Sequence, residues 1–461
     1  MKRRVWRLLA AVSLLALGAH AATRPRYGGT MRIETRASLV SYDPAVTPSF
    51  DAADALRDRI AELVFDRLVT IDASGRPQPA LATSWQADPD QRRWIFELRS
   101  GVLLHDGNPL PARLIAAALS AVHPNWRVTV QSSGNNESLA IISPDPQPNL
   151  PAELACAQNS IVARDSAGAL TGSGPFRMQD WQPGRKATLV ANSDYWGGRP
   201  FLQSIEITMG RSFRDQALDY RLERVDIIEV SPELARRGAQ EGEHVDISAA
   251  VDVLGIFFPD ANTPHLRQAL SLALDRSAIQ AVILQRQGEA AGGLLPRWMS
   301  GYAFLFPQKA VLDRARQERA SSESTNVTLA FDANDPLQRA IADRVAVNAR
   351  DAGLTVQTFP ESSNAHAPAT AARLGTIHLQ SVSTSVALSA VAEQLGRSDK
   401  QQPGATPEAQ YAAERALLQE SRFVPVVSLG EAYAVAPRLR GWQLRRDGEW
   451  SLADVWIQEA P

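Results

Sequence analysis

Few side chains in this 461-residue chain have the type and the neighbours that chemistry requires. His105-Asp106 sets an imidazole beside a carboxylate, the beginning of a general acid–base pair. Gly107 follows directly, however, and Asp-Gly is a hairpin signal. With no third group at a recognisable spacing, the pair reads as a turn. Gly172-Ser173-Gly174 has the composition of a loop that cradles an anion on backbone N–H groups, but a lone Gly-x-Gly reads first as a structural turn. Beyond residue 21 the six histidines, at 105, 123, 244, 265, 366 and 378, are scattered, and no two have metal-ligand spacing on one element. There is no Gly-x-Ser-x-Gly elbow. Cys156 is the only cysteine, so an internal disulfide and a cysteine metal cluster are both excluded. Its neighbours in Leu154-Ala155-Cys156-Ala157 make it small apolar filler. The residues therefore point to no catalytic group, no metal and no cofactor, and leave binding as the work to be explained.

The first 21 residues read as a cleavable export signal. Lys2, Arg3, Arg4 and Arg7 form a basic start, Leu8 to Leu17 is an apolar run too short to span a membrane, and Ala19-His20-Ala21 is a small-x-small cleavage site. No cysteine follows it, which favours a free periplasmic protein over a lipid-anchored one. Cleavage near Ala21 removes four positive charges and takes the formal charge from −2 to −6. So modest a charge argues against nucleic acid or an anionic membrane as partner. The remaining length suits two or three cores.

The elements that must position any site follow from pattern. A strand is expected over Met31–Thr35, and a helix where Leu56, Ile60, Leu63 and Val64 recur. A short strand is expected at residues 68–71, and Trp94, Phe96 and Leu98 alternate as in a half-buried strand. Residues 172–199 read turn, strand, turn, strand, turn, punctuated by Gly172-x-Gly174-Pro175, Pro183-Gly184 and Gly197-Gly198. Tyr195-Trp196 closes that hairpin and reads as structural. Residues 263–283 form the strongest helix, with Thr263 as N-cap, Pro264 at N1, and Leu266, Leu270, Leu274 and Val282 on one face. Residues 327–359 read as a βαβ unit, with Val327, Leu329 and Phe331 alternating and Asp335-Pro336 opening the helix. A helix from Thr406-Pro407 to Leu418 and an apolar strand over residues 424–429 complete the chain. Residues 312–326, 360–370 and 398–407 read as loops.

These blocks, in this order, resemble the family 5 extracellular solute-binding proteins, the peptide-, dipeptide- and nickel-binding receptors of bacterial ABC importers. The resemblance rests on the Gly172–Arg199 segment and on Leu81, Ala82 and Trp85 followed by Leu98-Arg99-x-Gly101-Val102 and His105-Asp106-Gly107. It also rests on Arg267-Gln268-Ala269-Leu270 ending in Asp275-Arg276, on the βαβ unit, and on the closing Gly441-Trp442 and Leu452–Ile457. In the family, the block around Leu81 to Trp85 is helix-like.

The resemblance implies a two-lobe α/β fold of the periplasmic-binding-protein type with a reduced accessory domain, since only about 64 residues separate Gly107 from Gly172. The expected division is residues 22–65 and 171–250 with 430–461 in the first lobe, 66–170 in the accessory domain and 251–429 in the second lobe. It implies a periplasmic receptor that captures a small, peptide-like or related solute by lobe closure and delivers it to an ABC transporter permease, working as a monomer. By position in the family pattern, Tyr42, Ser173, Trp298, His378 and Ser381 are the expected ligand contacts. The chain departs from the pattern at residues 372–395. There His378 stands where an acidic residue is expected, and no carboxylate occurs between Glu361 and Glu393, which argues against a charge-paired anchor for a ligand amine. Two alternatives remain open: a degenerate fold that binds a protein partner as a sensor or scaffold, and a periplasmic hydrolase.

Overall fold

A computed structural model describes residues 25–458, except 47–51, 73, 135, 165–166, 232–234, 236, 239–243, 260–263, 301–306, 363, 380–382, 396–405 and 421. The export signal, Thr263, Ser381 and most of the loop at 398–407 lie outside the described residues.

One eleven-stranded sheet organises the chain. The principal strands, in chain order, are β1 (Thr30–Glu34), β2 (Ala82–Ala87), β3 (Arg93–Leu98), β4 (Arg127–Ser133), β5 (Asn136–Ile142), β6 (Phe176–Gln182), β7 (Lys186–Ala191), β8 (Ser204–Thr208), β9 (Ile227–Glu229), β10 (Val245–Phe257), β11 (Asn326–Asp332), β12 (Thr355–Glu361), β13 (Ala372–His378) and β14 (Phe423–Val435). The helices are α1 (Ala52–Val64), α2 (Ala112–Val122), α3 (Phe213–Arg221), α4 (Pro264–Ala273), α5 (Leu312–Ala320), α6 (Pro336–Asp351), α7 (Thr384–Gln394) and α8 (Pro407–Glu420). The sheet runs β6-β7-β8-β1-β9-β14-β10-β13-β11-β12, with Glu289–Ala290 added beside β14.

β10 and β14 are 13 residues each and pair antiparallel along most of their length. A strand that long spans roughly 40 Å, so the pair is shared between two regions of the sheet. On one side, β1, β8 and α1 build a core around Met31, Ile33, Ile60, Ile205 and Tyr433. On the other, β10, β11, α4 and α6 build a second core around Ile256, Leu270, Leu329, Ile341 and Val426. A third core belongs to the separate sheet β2-β3-β5-β4, covered by α2 through Ile115 and Leu119.

The expected βαβ unit is present: β11 and β12 pair in parallel from Asn326↔Thr355 to Asp332↔Glu361, joined by α6. Asp335 caps that helix by accepting from the backbone N–H groups of Leu337 and Gln338. The turn at Gly172 is also explained. Gly174 lies against the end of α1, where an added Cβ would come within 2.6 Å of the Val64 carbonyl carbon, so the position has no room for a side chain.

Three expectations change. The block around Leu81 to Trp85 is not helix-like: Ala82–Ala87 is strand β2, held against β3 with Trp85 over Phe96 at 6.2 Å between ring centroids. The helix expected over 263–283 is interrupted after Ala273 and resumes over Arg276–Ala278 and, as a wider π-type turn, Ile279–Ile283, because Asp275 starts a new turn by accepting from Ala278 N. That break turns Arg276 inward, where its fully buried guanidinium donates to the carbonyls of Ser271, Pro307 and Pro425 and to Ser271 Oγ. Val282, expected on the buried face, is 72 % exposed. Finally, residues 312–320 are helix α5 rather than loop. Only Ala315 of α5 is buried, so the segment has no apolar stripe to reveal it.

Candidate functional site

A cavity of about 710 Å³ opens where the first two cores face each other across the β10–β14 pair. Arg36, Phe213, Glu229 and Ser231 contribute one wall, Asn334, Asp335, Leu337 and Ile283 the opposite one, and Leu429–Tyr433 with Asp252 the floor. Each wall is placed by local chemistry. Arg36 follows β1 and is fixed when its backbone N–H donates to Glu229 Oε2 at 2.6 Å. Its guanidinium lies 4.8 Å from the centroid of Phe213, at the start of α3. Asp335 is held in the second core by its capping bonds, and its other oxygen meets Arg36 at 3.0 Å. One carboxylate thus caps a helix and ties the walls together.

Burial opposes the charge on Arg36, but Asp335 and Glu229 outweigh it and raise its pKa. Glu229 is pushed above the usual carboxylate range by burial, with Arg36 acting against the shift. The cleft wall therefore carries charged groups whose states depend on one another.

Beneath the floor lies a dense ionic network. α1, expected as a helix from the recurrence of Leu56, Ile60, Leu63 and Val64, also buries Asp54, Arg57, Asp58 and Arg59. Arg59 pairs with Glu431 on β14, donates to the Gly448 carbonyl, and lies over the rings of Tyr433 and Trp450 at 5.7 and 5.2 Å. His378, at the end of β13, meets Asp252 on β10 through Nδ1 at 2.8 Å and faces Glu449 through Nε2 at 3.8 Å. Burial alone would lower His378, but the hydrogen bond to Asp252 and the nearby carboxylate of Glu449 prevail and hold its pKa well above the ordinary value. Asp58 Oδ2, Glu449 Oε2, His378 Nε2 and Trp450 Nε1 are buried without a hydrogen-bond partner among the described residues. Burial, reinforced by Glu449, pushes Asp58 up to about 7.

The four described residues among the five expected to contact ligand, Tyr42, Ser173, Trp298 and His378, do not lie together. Tyr42 is buried in the first core, stacked 6.3 Å from Phe65 and edge-on to Trp181 at 4.9 Å. Ser173 is buried and donates to Asp66 at 2.8 Å. Trp196 Nε1 and Tyr195 Oη donate to the same carboxylate at 2.8 and 3.3 Å, so this aromatic pair is structural. Burial raises Asp66 to about 6 even against these three donors. His378 and Trp298 do converge on β10, His378 at Asp252 and Trp298 through a 2.8 Å bond from Nε1 to the Ala250 carbonyl. Ser381 lies outside the described residues.

His105 is engaged by the turn it helps to build, with Nε2 3.0 Å from the Gly174 carbonyl. Cys156 is buried, and burial pushes its thiol up to about 12, so it is no nucleophile at neutral pH.

The residues that sequence reasoning missed are Arg36, Asp58, Arg59, Asp252, Asp335, Glu431 and Glu449. Asp335 was recognisable, but only as a helix cap. The others are ordinary surface types in a linear reading, and no motif marks them. The carboxylates absent between Glu361 and Glu393 come to His378 instead from α1, β10, β14 and Glu449.

Residues 76–384, more than half of the chain, match the model of the bacterial extracellular solute-binding proteins, family 5 Middle. A probable D,D-dipeptide-binding periplasmic protein of Escherichia coli K12 is 25 % identical over 294 residues, 57 % of each chain. A probable di/tripeptide-binding protein of Pseudomonas aeruginosa UCBPP-PA14 is 26 % identical over 333 residues, 61 % of each chain. The alignments thus span well under two thirds of these relatives' own length. Among solved structures, the periplasmic binding protein DppA of Helicobacter pylori in complex with the peptide STSA superposes with a TM-score of 0.79 at 17 % identity, over 94 % of this chain and 99 % of that one. The oligopeptide-binding protein AppA of Bacillus subtilis does so with a TM-score of 0.77 at 16 % identity, over 95 % and 100 %. At such identities the likeness establishes the fold, which is the mixed α/β periplasmic-binding-protein fold.

Proposed function

The chain belongs to the bacterial extracellular solute-binding proteins of family 5, and from that membership we propose that it is a periplasmic receptor for a small solute, peptide-like or related. The solute enters the cleft between a first lobe (residues 22–65, 171–250 and 430–461) and a second (251–429), with 66–170 as a reduced accessory domain. It stabilises the closed form by binding that form better than the open one. The closed form then presents the solute to the permease of an ABC importer.

The observation that carries this reading is the cavity whose opposite walls are joined by Arg36 and Asp335. A pocket of several hundred Å³ with apolar walls and a few fixed polar groups is the usual form of a small-molecule site. The described groups supply binding and electrostatics, and the reading is one of capture rather than turnover.

The test is thermal unfolding of the protein, without residues 1–21, against di- and oligopeptides, sugars, metal chelates and organic acids. A solute that binds only the folded form at a hundred times its Kd stabilises by about 2.7 kcal/mol. A concentration-dependent rise for one class supports capture and names the cargo. A well-folded protein with no shift across the panel favours a protein partner instead.

A further inference from the structure

Asp252, His378 and Glu431 lie on three adjacent strands, and solute capture alone does not call for their combination. Asp252 and His378 are direct cross-strand partners in the β10–β13 ladder, so their side chains share a face about 5 Å apart. The β10–β14 register slips on both sides of Ala250, and a slip of this kind re-aims side chains. One donor atom from each of Asp252, His378 and Glu431 lies within 4.8 Å of the others. Two carboxylate oxygens and one imidazole nitrogen suit a first-row transition ion, whereas magnesium and calcium favour oxygen donors throughout.

A second, separate observation points the same way. Behind this group, Glu449 Oε2 and Asp58 Oδ2 are buried without hydrogen-bond partners among the described residues. These oxygens are left unsatisfied by the surrounding side chains. His378 Nε2 is also unpartnered and faces Glu449 Oε1. A metal-bound imidazole usually directs its second nitrogen at a carboxylate, which orients the ring. Arg59 and Tyr433 both address Glu431 through Oε2, which leaves Oε1 as the donor for an ion. Asp252 and Glu431 line the cavity, so coordination positions not filled by protein face the space for solute.

We propose that Asp252, His378 and Glu431 bind one divalent first-row transition ion, which takes the place of the proton between His378 Nδ1 and Asp252, with Glu449 orienting His378 from behind. The ion is held by side chains alone, and the test needs no solute.

Chelator-stripped protein is titrated with Mn²⁺, Co²⁺, Ni²⁺ and Zn²⁺ by calorimetry, and the Cu²⁺-loaded form is read by pulsed electron paramagnetic resonance. The expected result is one ion per chain for at least one metal and coupling to one imidazole nitrogen. His378→Gln and Asp252→Asn should each abolish that site, and Glu449→Gln should weaken it about 10–100-fold. Failure of all four ions to bind tighter than about 1 mM would overturn the assignment. So would undiminished binding in folded His378→Gln and Asp252→Asn proteins. Where a variant fails to fold, the wild-type spectrum decides: without imidazole coupling the proposal is wrong.

Discussion

Arg36 and Asp335 are 299 positions apart in sequence and meet at 3.0 Å across the cavity. Because Asp335 also caps α6, joining the cavity walls and ordering that helix terminus use the same side chain. Asn can cap a helix as well as Asp, so Asp335→Asn removes the ion pair and keeps the cap. A partly buried pair of this kind contributes about 1 kcal/mol. Asp335→Asn should therefore weaken solute binding about fivefold. Asp335→Ala should lose about a further 1 kcal/mol of stability through the cap. Solute titration and thermal unfolding of both variants check this; equal solute affinity in wild type and Asp335→Asn would show that the pair does not assist closure.

Asp58 gives a pH prediction. Its folded-state pKa of about 7 lies above the ordinary value near 3.9. The native state thus binds more protons than the unfolded chain between about pH 4 and 7, and stability falls as pH rises through that window. In metal-free protein, Asp58→Asn should be more stable than wild type by on the order of 2–4 kcal/mol at pH 8, with the difference vanishing near pH 4. Urea unfolding across this range measures it, and a pH-independent difference would count against the assignment.

Trp196 and Ser173 donate to the Asp66 carboxylate, which has no cation in hydrogen-bond contact among the described residues. Trp196→Phe removes one of the three donors on Asp66 and should cost about 1–3 kcal/mol. Asp66→Asn with Trp196→Phe should lose less than the sum of the two single changes, because the indole N–H matters only through Asp66. A double-mutant cycle by chemical denaturation reads the coupling directly.

Arg276 tests whether the break after α4 is structural. Burial lowers its pKa to about 9, so it stays charged at neutral pH and its bonds to three carbonyls are charge-assisted. Arg276→Met leaves those carbonyls without their donor and should cost about 3–5 kcal/mol. Thermal unfolding provides the measurement, and a loss under about 1 kcal/mol would mean the carbonyls find other partners.

Gly174→Ala places a methyl group against the backbone of Val64. Backbone cannot move aside as a flexible side chain can, so destabilisation of about 1–3 kcal/mol or more is expected. Gly101→Ala is the contrasting case: its φ of 74° strains a side chain, but nothing lies within 4 Å of the added Cβ. A larger loss at Gly101 than at Gly174 in parallel melts would reverse this reading.

By itself the sequence determined the elements whose pattern is local. The β6–β7 hairpin, the β11–α6–β12 unit, the Asp335 cap and the alternating face of β3 follow from turn residues, a capping carboxylate and apolar periodicity, all of which act over a few residues. It determined the family as well, through the order of those blocks. It could not give helix α5, which has no apolar stripe, or the break after Ala273, which exists so that Arg276 can reach Pro307 and Pro425. The cleft lay further still from a linear reading. Tyr42 and Ser173 have the residue types of ligand contacts, yet packing commits them to Phe65, Trp181 and Asp66. Asp252, His378 and Glu431 become neighbours only because β10, β13 and β14 lie side by side in one sheet. A charged residue shows no periodic sign of being buried. Its environment is set by strands and helices distant in sequence, and only the folded chain brings those together.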